Sequence, residues 1–232
     1  MKKKAVCLIS DGLDSPVATF LIEQKGIEVI GINFDNRPMV KYAKIKRDQN
    51  QLQENIAIGQ IQNIAQALVN SFMEQTKFKL FIVPNGEDLE KITTHSYDPK
   101  ITCVLCKRLM VKKAEIIANE VNAEYIATGE ILGEQASQTI DNLKIIEDAV
   151  NSKRLIRPNI GLNKEEVITI AREIGTYQFA ELAAKYTCSA VPNKPVTKTN
   201  LDRVLAAEEK LGLQDAINSC FTNAKQLDFQ KS

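Results

Sequence analysis

"LISDGLDSPVATFLI", residues 8–22, opens as an apolar run suited to a buried strand, breaks at a small polar turn, and resumes as an apolar helix with Pro16 in its first turn. Strand, tight turn and helix in this order make half of a β–α–β unit, and the sequence downstream repeats the pattern. Short apolar or β-branched stretches at residues 5–9, 28–33, 79–83, 124–127 and 154–156 predict strands. Apolar residues at helical spacing predict helices over residues 16–23, 51–73, 107–120, 141–150 and 164–174, the last ending at Gly175. Such alternation implies an α/β fold built on a doubly wound, mainly parallel sheet. In these sheets ligands bind beyond the carboxyl ends of the strands, which is where residues 10–15, 33–36 and 128–138 fall.

After about residue 178 the pattern changes. Pro192 and Pro195 sit in a loop-like stretch, residues 201–211 read as a helix, and the last residues read as a polar tail. The expected division is a main domain over residues 1–177 and a C-terminal extension, residues 178–232, that carries Cys188 and one or two helices. Of the 232 residues 44% are apolar and 25% charged, as in ordinary soluble proteins. Thirty Lys and Arg against 29 Asp and Glu leave no whole-chain field for a polyanion, so any nucleic acid needs a local patch or a partner. The one dense basic run is residues 41–48, KYAKIKRD, readable as a solvated face or a phosphate-contacting patch. The start, MKKKAVCLIS, resembles a signal peptide, but its apolar run stops after about six residues, and no stretch reaches the ~18 of a membrane span. A cytoplasmic protein without a membrane partner is expected.

The turn after the first strand carries two carboxylates, Asp11 and Asp14, where the free amides of a helix start invite phosphate. Ser10, Gly12 and Ser15 supply small size and hydroxyl donors. On turn chemistry alone, Asp11-Gly12 also reads as a plain turn and Asp14 as a helix cap. A Walker loop is excluded, because no Gly-Lys-Ser/Thr follows. The five cysteines, in a chain with no export signal, point to thiol or metal chemistry rather than disulfides. Cys103 and Cys106 form a C-x-x-C at a predicted helix start, which fits zinc, a redox couple or two packed thiols. Cys7 reads as a small buried hydrophobe, Cys220 has no partner signal, and the lone His95 reads as a polar-loop residue.

Ser10-Asp11-Gly12-Leu13-Asp14-Ser15 resembles the S-G-G-x-D-S loop of the N-type ATP pyrophosphatases. With Pro16-Val17-Ala18 following, it resembles one branch of them, the tRNA sulfurtransferases that make 4-thiouridine. Residues 128–139, TGEILGEQASQT, are similar to that family's T-G-E-x-L-G-Q-x-[AS]-S-Q-T block, and residues 103–110, CVLCKRLM, to the C-x-x-C-K-R-x-M segment of its archaeal-type members. Arg157-Pro158, Asn163-Lys164-Glu165-Glu166 and residues 171–176, AREIGT, follow in the family's order, so the resemblance spans roughly residues 5–195.

The resemblance implies a fold of the adenine nucleotide alpha hydrolase type, ATP as cosubstrate and Mg²⁺ beside it. It places nucleotide contacts at Leu8, Ile9, Ser10, Gly12, Asp14, Ser15, Asn33, Phe34, Lys107, Gly129 and Gln138. Cys188 matches a cysteine used in sulfur transfer, and in archaeal-type members Cys103, Cys106 and Cys188 match the ligands of a [4Fe–4S] cluster, whose open iron would hold a sulfide. The implied chemistry is attack by O4 of a tRNA uridine on the α-phosphorus, departure of pyrophosphate, and displacement of AMP by sulfur. Asp14 and Cys188 are the expected catalytic residues.

The family usually carries an N-terminal RNA-binding region, and here the loop starts at residue 10; nor is a rhodanese domain expected after residue 178. The expected partners are therefore tRNA presented by a separate RNA-binding protein and a sulfide or persulfide donor, with a second copy of the chain as a further candidate. Three rivals stand beside this reading: an ammonia-using or small-molecule ATP pyrophosphatase, a non-catalytic nucleotide-binding subunit, and an iron–sulfur protein with a vestigial nucleotide site. Asp11 departs from the loop pattern by replacing a Gly. Two unit charges ~5 Å apart at an effective dielectric of ~20 repel by roughly 3 kcal/mol, so Asp11 is expected to face away from the phosphates or to share their metal.

Overall fold

The computed structural model describes residues 2–42, 50–96, 98–183 and 186–232, with the backbone alone for residues 41, 42, 50–58, 182, 183, 186 and 187. Apart from the backbone of Lys41 and Tyr42, the basic run at residues 41–48 lies outside the described residues.

Strands β1 (Lys4–Leu8), β2 (Glu28–Asp35), β4 (Lys77–Pro84), β5 (Tyr125–Ala127) and β6 (Arg154–Ile156) pair in parallel, and β8 (Lys225–Gln230) adds an antiparallel edge, in the order β6-β5-β1-β2-β4-β8. A separate antiparallel ribbon joins β3 (Val40–Tyr42) to β7 (Tyr186–Cys188), so Cys188 sits opposite Val40. Both faces of the sheet are covered, which is why the inner strands read as unbroken apolar runs. Val6, Ile30 and Ile32 pack toward α4 (Thr102–Glu120), α5 (Ile140–Glu147), α8 (Leu201–Leu211) and α9 (Gln214–Asn218), with Ile92 of α3 (Gly86–His95) in the same core. Ala5, Cys7 and Val29 pack toward α1 (Asp14–Glu23), α2 (Asn50–Ser71) and α6 (Lys164–Glu173), beside α7 (Tyr177–Ala183). Burial also explains Cys7: desolvation pushes its thiol up to about 12.

β1 is the switch point, because the chain leaves it toward β2 on one side while β5 closes the other. The loops after β1 and β5 therefore flank one crevice. Polar caps fix the helices behind it. Thr139 caps α5, Asn200 caps α8, and Asn163 forms a reciprocal capping box with Glu166 at the start of α6. Gly175, at φ +73°, takes the left-handed turn that follows α6.

Several readings of the sequence are corrected. Helix α4 begins at Thr102, five residues before the basic pair, so Cys103 and Cys106 lie in its first turns. His95 is the last residue of α3, whose inner face is only Leu89 and Ile92, too few apolar residues to register as a period. The polar tail is strand β8, pairing Leu227 with Leu80 and Phe229 with Phe78. Its alternation of polar and apolar residues suits an edge strand. Arg108, to which the sequence analysis gave no separate role, is 1% exposed, donating from Nε to Glu208 Oε1 at 2.9 Å and also bonded to the Ile145 carbonyl. It pins α4 to α8 and α5.

Candidate active site

Residues 10–15, just after β1, form a knot of serine hydroxyls. Ser10 N–H donates to Ser15 Oγ at 2.8 Å, the two hydroxyls lie 3.0 Å apart, and Gly12 N–H donates to Ser10 Oγ at 3.2 Å. Leu13 stands at the N-cap of α1 without a side-chain cap, so the helix-start amides are left for a ligand. Asp14 is thus no helix cap. Its carboxylate accepts from Lys164 Nζ at 2.9 Å, and the same ammonium reaches Glu134 Oε1 at 2.6 Å. Burial pushes the Asp14 carboxyl above its usual range, against the pull of Lys164.

The loop after β5 lies directly on this knot. A Cβ on Gly129 would meet the backbone of Ser15 at 2.7–2.8 Å, which requires glycine there. Asn159 locks the contact, donating from Nδ2 to the Asp14 carbonyl at 2.8 Å and the Gly129 carbonyl at 3.4 Å. On the far side, Asn33 Nδ2 donates to the Ile9 carbonyl at 2.8 Å and joins the ends of β1 and β2. Between these walls lies a cavity of about 320 Å³, the size of a small-molecule site.

All eleven residues assigned to nucleotide by the sequence line this one cavity: Leu8, Ile9, Ser10, Gly12, Asp14, Ser15, Asn33, Phe34, Lys107, Gly129 and Gln138. Asp11, half-buried, is not part of the lining. Its carboxyl is pushed up by burial. Replacement Asp11→Gly is therefore expected to leave ATP affinity unchanged or improved in a titration with labelled nucleotide, whereas a large loss would mean that Asp11 serves a metal. Sequence reasoning did not reach Met110, Val111 and Ile146, which add to the apolar wall, and had Asn36, Thr128, Glu130 and Gln135 only within the ranges expected to meet ligand, with no individual role. Glu130 is 8% exposed and 3.4 Å from Lys107 Nζ. Burial alone would raise its carboxyl, but Lys107, Thr128 and Arg157 beside it hold it below the usual range. No spacing rule in the sequence announces these partners, because they meet only where helices α4 and α5 come up to the loops after β2 and β5.

None of the three candidate sulfur residues is part of this lining. Cys103 and Cys106 are half-buried on α4 and Cys188 is exposed on β7. Desolvation pushes Cys106 up to about 12, with Cys188 and Cys103 adding to the rise. Cys103 is likewise raised by burial and then by Cys188. Among the described residues no three His, Cys, Asp or Glu side chains are gathered to hold a single metal ion. Cys220 is buried, its Sγ 3.5 Å from the Lys113 carbonyl.

The switch-point crevice, the serine knot and the strand order define an α/β protein of the adenine nucleotide alpha hydrolase-like class; NMN synthetase from Francisella tularensis shares the fold at 13% identity (TM-score 0.53, over 93% of this chain and 87% of that one). Within that class the chain belongs to the ThiI family, described as thiamine biosynthesis protein, which it matches over residues 1–213. It is 33% identical over 225 residues to a probable tRNA sulfurtransferase of Acetivibrio thermocellus, covering 97% of this chain and 53% of that protein. A probable tRNA sulfurtransferase of Methanosarcina mazei is 33% identical over 226 residues, covering 97% and 51%. The crystal structure of a 4-thiouridine synthetase–RNA complex with bound ATP has a TM-score of 0.84 at 27% identity, over 97% of this chain and 55% of that one. The chain spans about half the length of the curated relatives it matches.

Proposed function

We propose that the cavity binds ATP and that the chain adenylates O4 of a tRNA uridine and replaces it with sulfur. The observation that carries this reading is the convergence of all eleven expected contacts on one cavity at the switch point. The α- and β-phosphates lie over residues 10–15, where the N–H groups of Ser10 and Gly12 exchange their serine hydroxyls for phosphate oxygens. Lys107, held by Glu130, supplies a cation at the opposite wall. Mg²⁺, when bound, offsets phosphate charge, and Asp14 is the cavity-lining carboxylate suited to it. Attack by the substrate oxygen forms a bond to the α-phosphorus and breaks its bond to the bridging oxygen, and pyrophosphate leaves. A sulfide then adds at the activated carbon and AMP departs; where a persulfide donor supplies sulfane sulfur instead, the exposed Cys188 would carry it, and a second thiol would take Cys188 into a disulfide as that sulfur is released to the uridine.

A cluster is the second part of the reading. Cys103, Cys106 and Cys188, the residues that the resemblance matches to cluster ligands, would hold three of its corners, and the group would supply an open iron to carry sulfide. With formal net charge +1, the chain leaves the RNA grip to a local patch or to another RNA-binding protein. We place this chemistry in the cytoplasm, consistent with the lack among the described residues of any helix long and apolar enough to cross a membrane.

The test is anaerobic incubation of the purified protein with ATP, sulfide and bulk tRNA, reading AMP formation and 4-thiouridine in the digested nucleosides. AMP release that depends on tRNA and disappears in Asp14→Ala is the expected result. Undiminished release by Asp14→Ala would overturn the assignment of the loop.

A further inference from the structure

A buried ammonium decides which way two side-chain amides face, and the second of them lines the nucleotide cavity. Lys113, on α4, is 1% exposed, and its ammonium meets three acceptors: the Pro84 carbonyl at 3.2 Å, Asn85 Oδ1 at 2.9 Å and Asp88 Oδ2 at 2.6 Å. An ammonium has no lone pair, so Asn85 can face it only with oxygen. Asn85, itself 1% exposed, therefore turns its Nδ2 away, and that Nδ2 donates to Asn36 Oδ1 at 2.7 Å. Asn36 is left with Nδ2, a donor, as the polar side-chain atom it can offer a ligand. The backbone under this relay is fixed as well. Asn85 N–H donates to the Asp35 carbonyl at 2.9 Å, one step beyond the register that pairs Asp35 with Pro84, and Arg37 N–H donates to Asp35 Oδ1 at 3.1 Å.

Asn36 lines the cavity but is not one of the eleven residues assigned to ATP, while Asn85 and Lys113 lie outside the lining. We propose that Asn36 reads the target base, donating from Nδ2 to the exocyclic O4 of uracil. O4 carries two lone pairs and no hydrogen, so one pair accepts from Asn36 while the other is left to attack the α-phosphorus. Cytosine presents an amine at the same place, whose hydrogens would meet those of Nδ2 head on. An ordinary Asn adapts to either base by turning its amide over, and here the relay from Lys113 forbids that turn. The inference rests on the reading that the cavity adenylates a uridine, and it adds the residue by which the site chooses uracil.

The test uses tRNA transcripts with uridine or cytidine at the position where 4-thiouridine forms. The uridine transcript is read by AMP formation at saturating ATP; the cytidine transcript has no O4 to adenylate and is read as a competitive inhibitor. Asn36→Ala is expected to lower kcat/KM for the uridine transcript about tenfold, the loss of one hydrogen bond, while labelled ATP binds as to the wild type. Asn36→Asp still accepts from Asn85 but offers the cavity an acceptor, so it is expected to lower that kcat/KM about 100-fold and to make the cytidine transcript a tighter inhibitor. Asn85→Asp can no longer donate, which frees Asn36 to turn over. It is expected to shift both transcripts in the same directions as Asn36→Asp from a position outside the cavity, whereas a merely structural role would weaken both transcripts alike. Uridine kcat/KM of Asn36→Asp within threefold of the wild type, equal weakening of both transcripts, or a loss of ATP affinity in Asn36→Ala that matches its loss of kcat/KM would overturn the assignment. A wild type that forms no AMP with the uridine transcript would overturn the adenylation reading itself, and this inference with it.

Discussion

Gly129→Ala will cost the protein its nucleotide site. The added Cβ would stand 2.7 Å from Ser15 Cα, 2.8 Å from Ser15 N and 3.0 Å from the Asp14 carbonyl carbon, all backbone atoms that cannot rotate away. The loop after β5 must therefore back off from α1, while Asn159 still ties both loops together. A shift of ~1 Å between two walls of a site is enough to lower productive binding by about 100-fold, and overpacking adds a stability loss of about 1–3 kcal/mol. Labelled ATP binding and thermal unfolding report the two effects separately. Gly59→Ala in α2 is the control of opposite sign: nothing lies within 4 Å of its Cβ, and alanine favours helix by up to ~1 kcal/mol. ATP affinity of Gly129→Ala within threefold of the wild type would mean the loops are not apposed in solution.

The second large effect lies away from the cavity. Glu208→Ala leaves Arg108, 1% exposed, with the Ile145 carbonyl and a half-exposed Asp148 as its remaining partners. An uncompensated buried guanidinium costs about 3–5 kcal/mol, so urea unfolding should shift to markedly lower denaturant. Replacing both partners, as Arg108→Met with Glu208→Leu, is expected to recover most of that loss, since the desolvated charge goes with its counterion. The pair also predicts an acid dependence. Burial alone would raise the Glu208 carboxyl, but Arg108 and Lys112 hold it below the usual range. Its folded value is thus depressed, and its contribution is complete above the ordinary carboxylate range and lost as pH falls through the lowered value. In Glu208→Gln that part of the acid-induced loss should be missing.

Much of this could be read from the sequence, and the gaps have physical causes. The inner parallel strands were visible because burial on both faces makes a continuous apolar run, as in residues 5–9 and 79–83. The strand at the edge was not: one face of β8 meets water, and KQLDFQ reads as polar when met alone. Helix α3 escaped for a related reason, with two inward apolar residues in ten. Eleven residues of the cavity lining were legible as candidates, most of them in or beside short blocks with a family likeness. Lys164 and Glu130 were visible letters without visible roles, since a contact such as Lys164–Asp14 joins residues 150 positions apart. The helix-cap reading of Asp14 failed at that same contact: an ammonium delivered by α6 competes for the carboxylate that local chemistry would have given to the helix amides.

Strand β8 also sets a timetable. Its partner β4 is made well before it, and the register that pairs Ile82 with Lys225 and Lys77 with Gln230 joins residues far apart in the chain. While the chain is emerging, the outer edge of β4 must wait unpaired, with Phe78 and Leu80 in a strand that could recruit another chain. Lys77 and Lys79, pointing outward from that strand, supply the charge that discourages such pairing until β8 arrives. Contacts of this separation also slow folding, so closing the sheet belongs to the late steps by which the nascent chain becomes a protein.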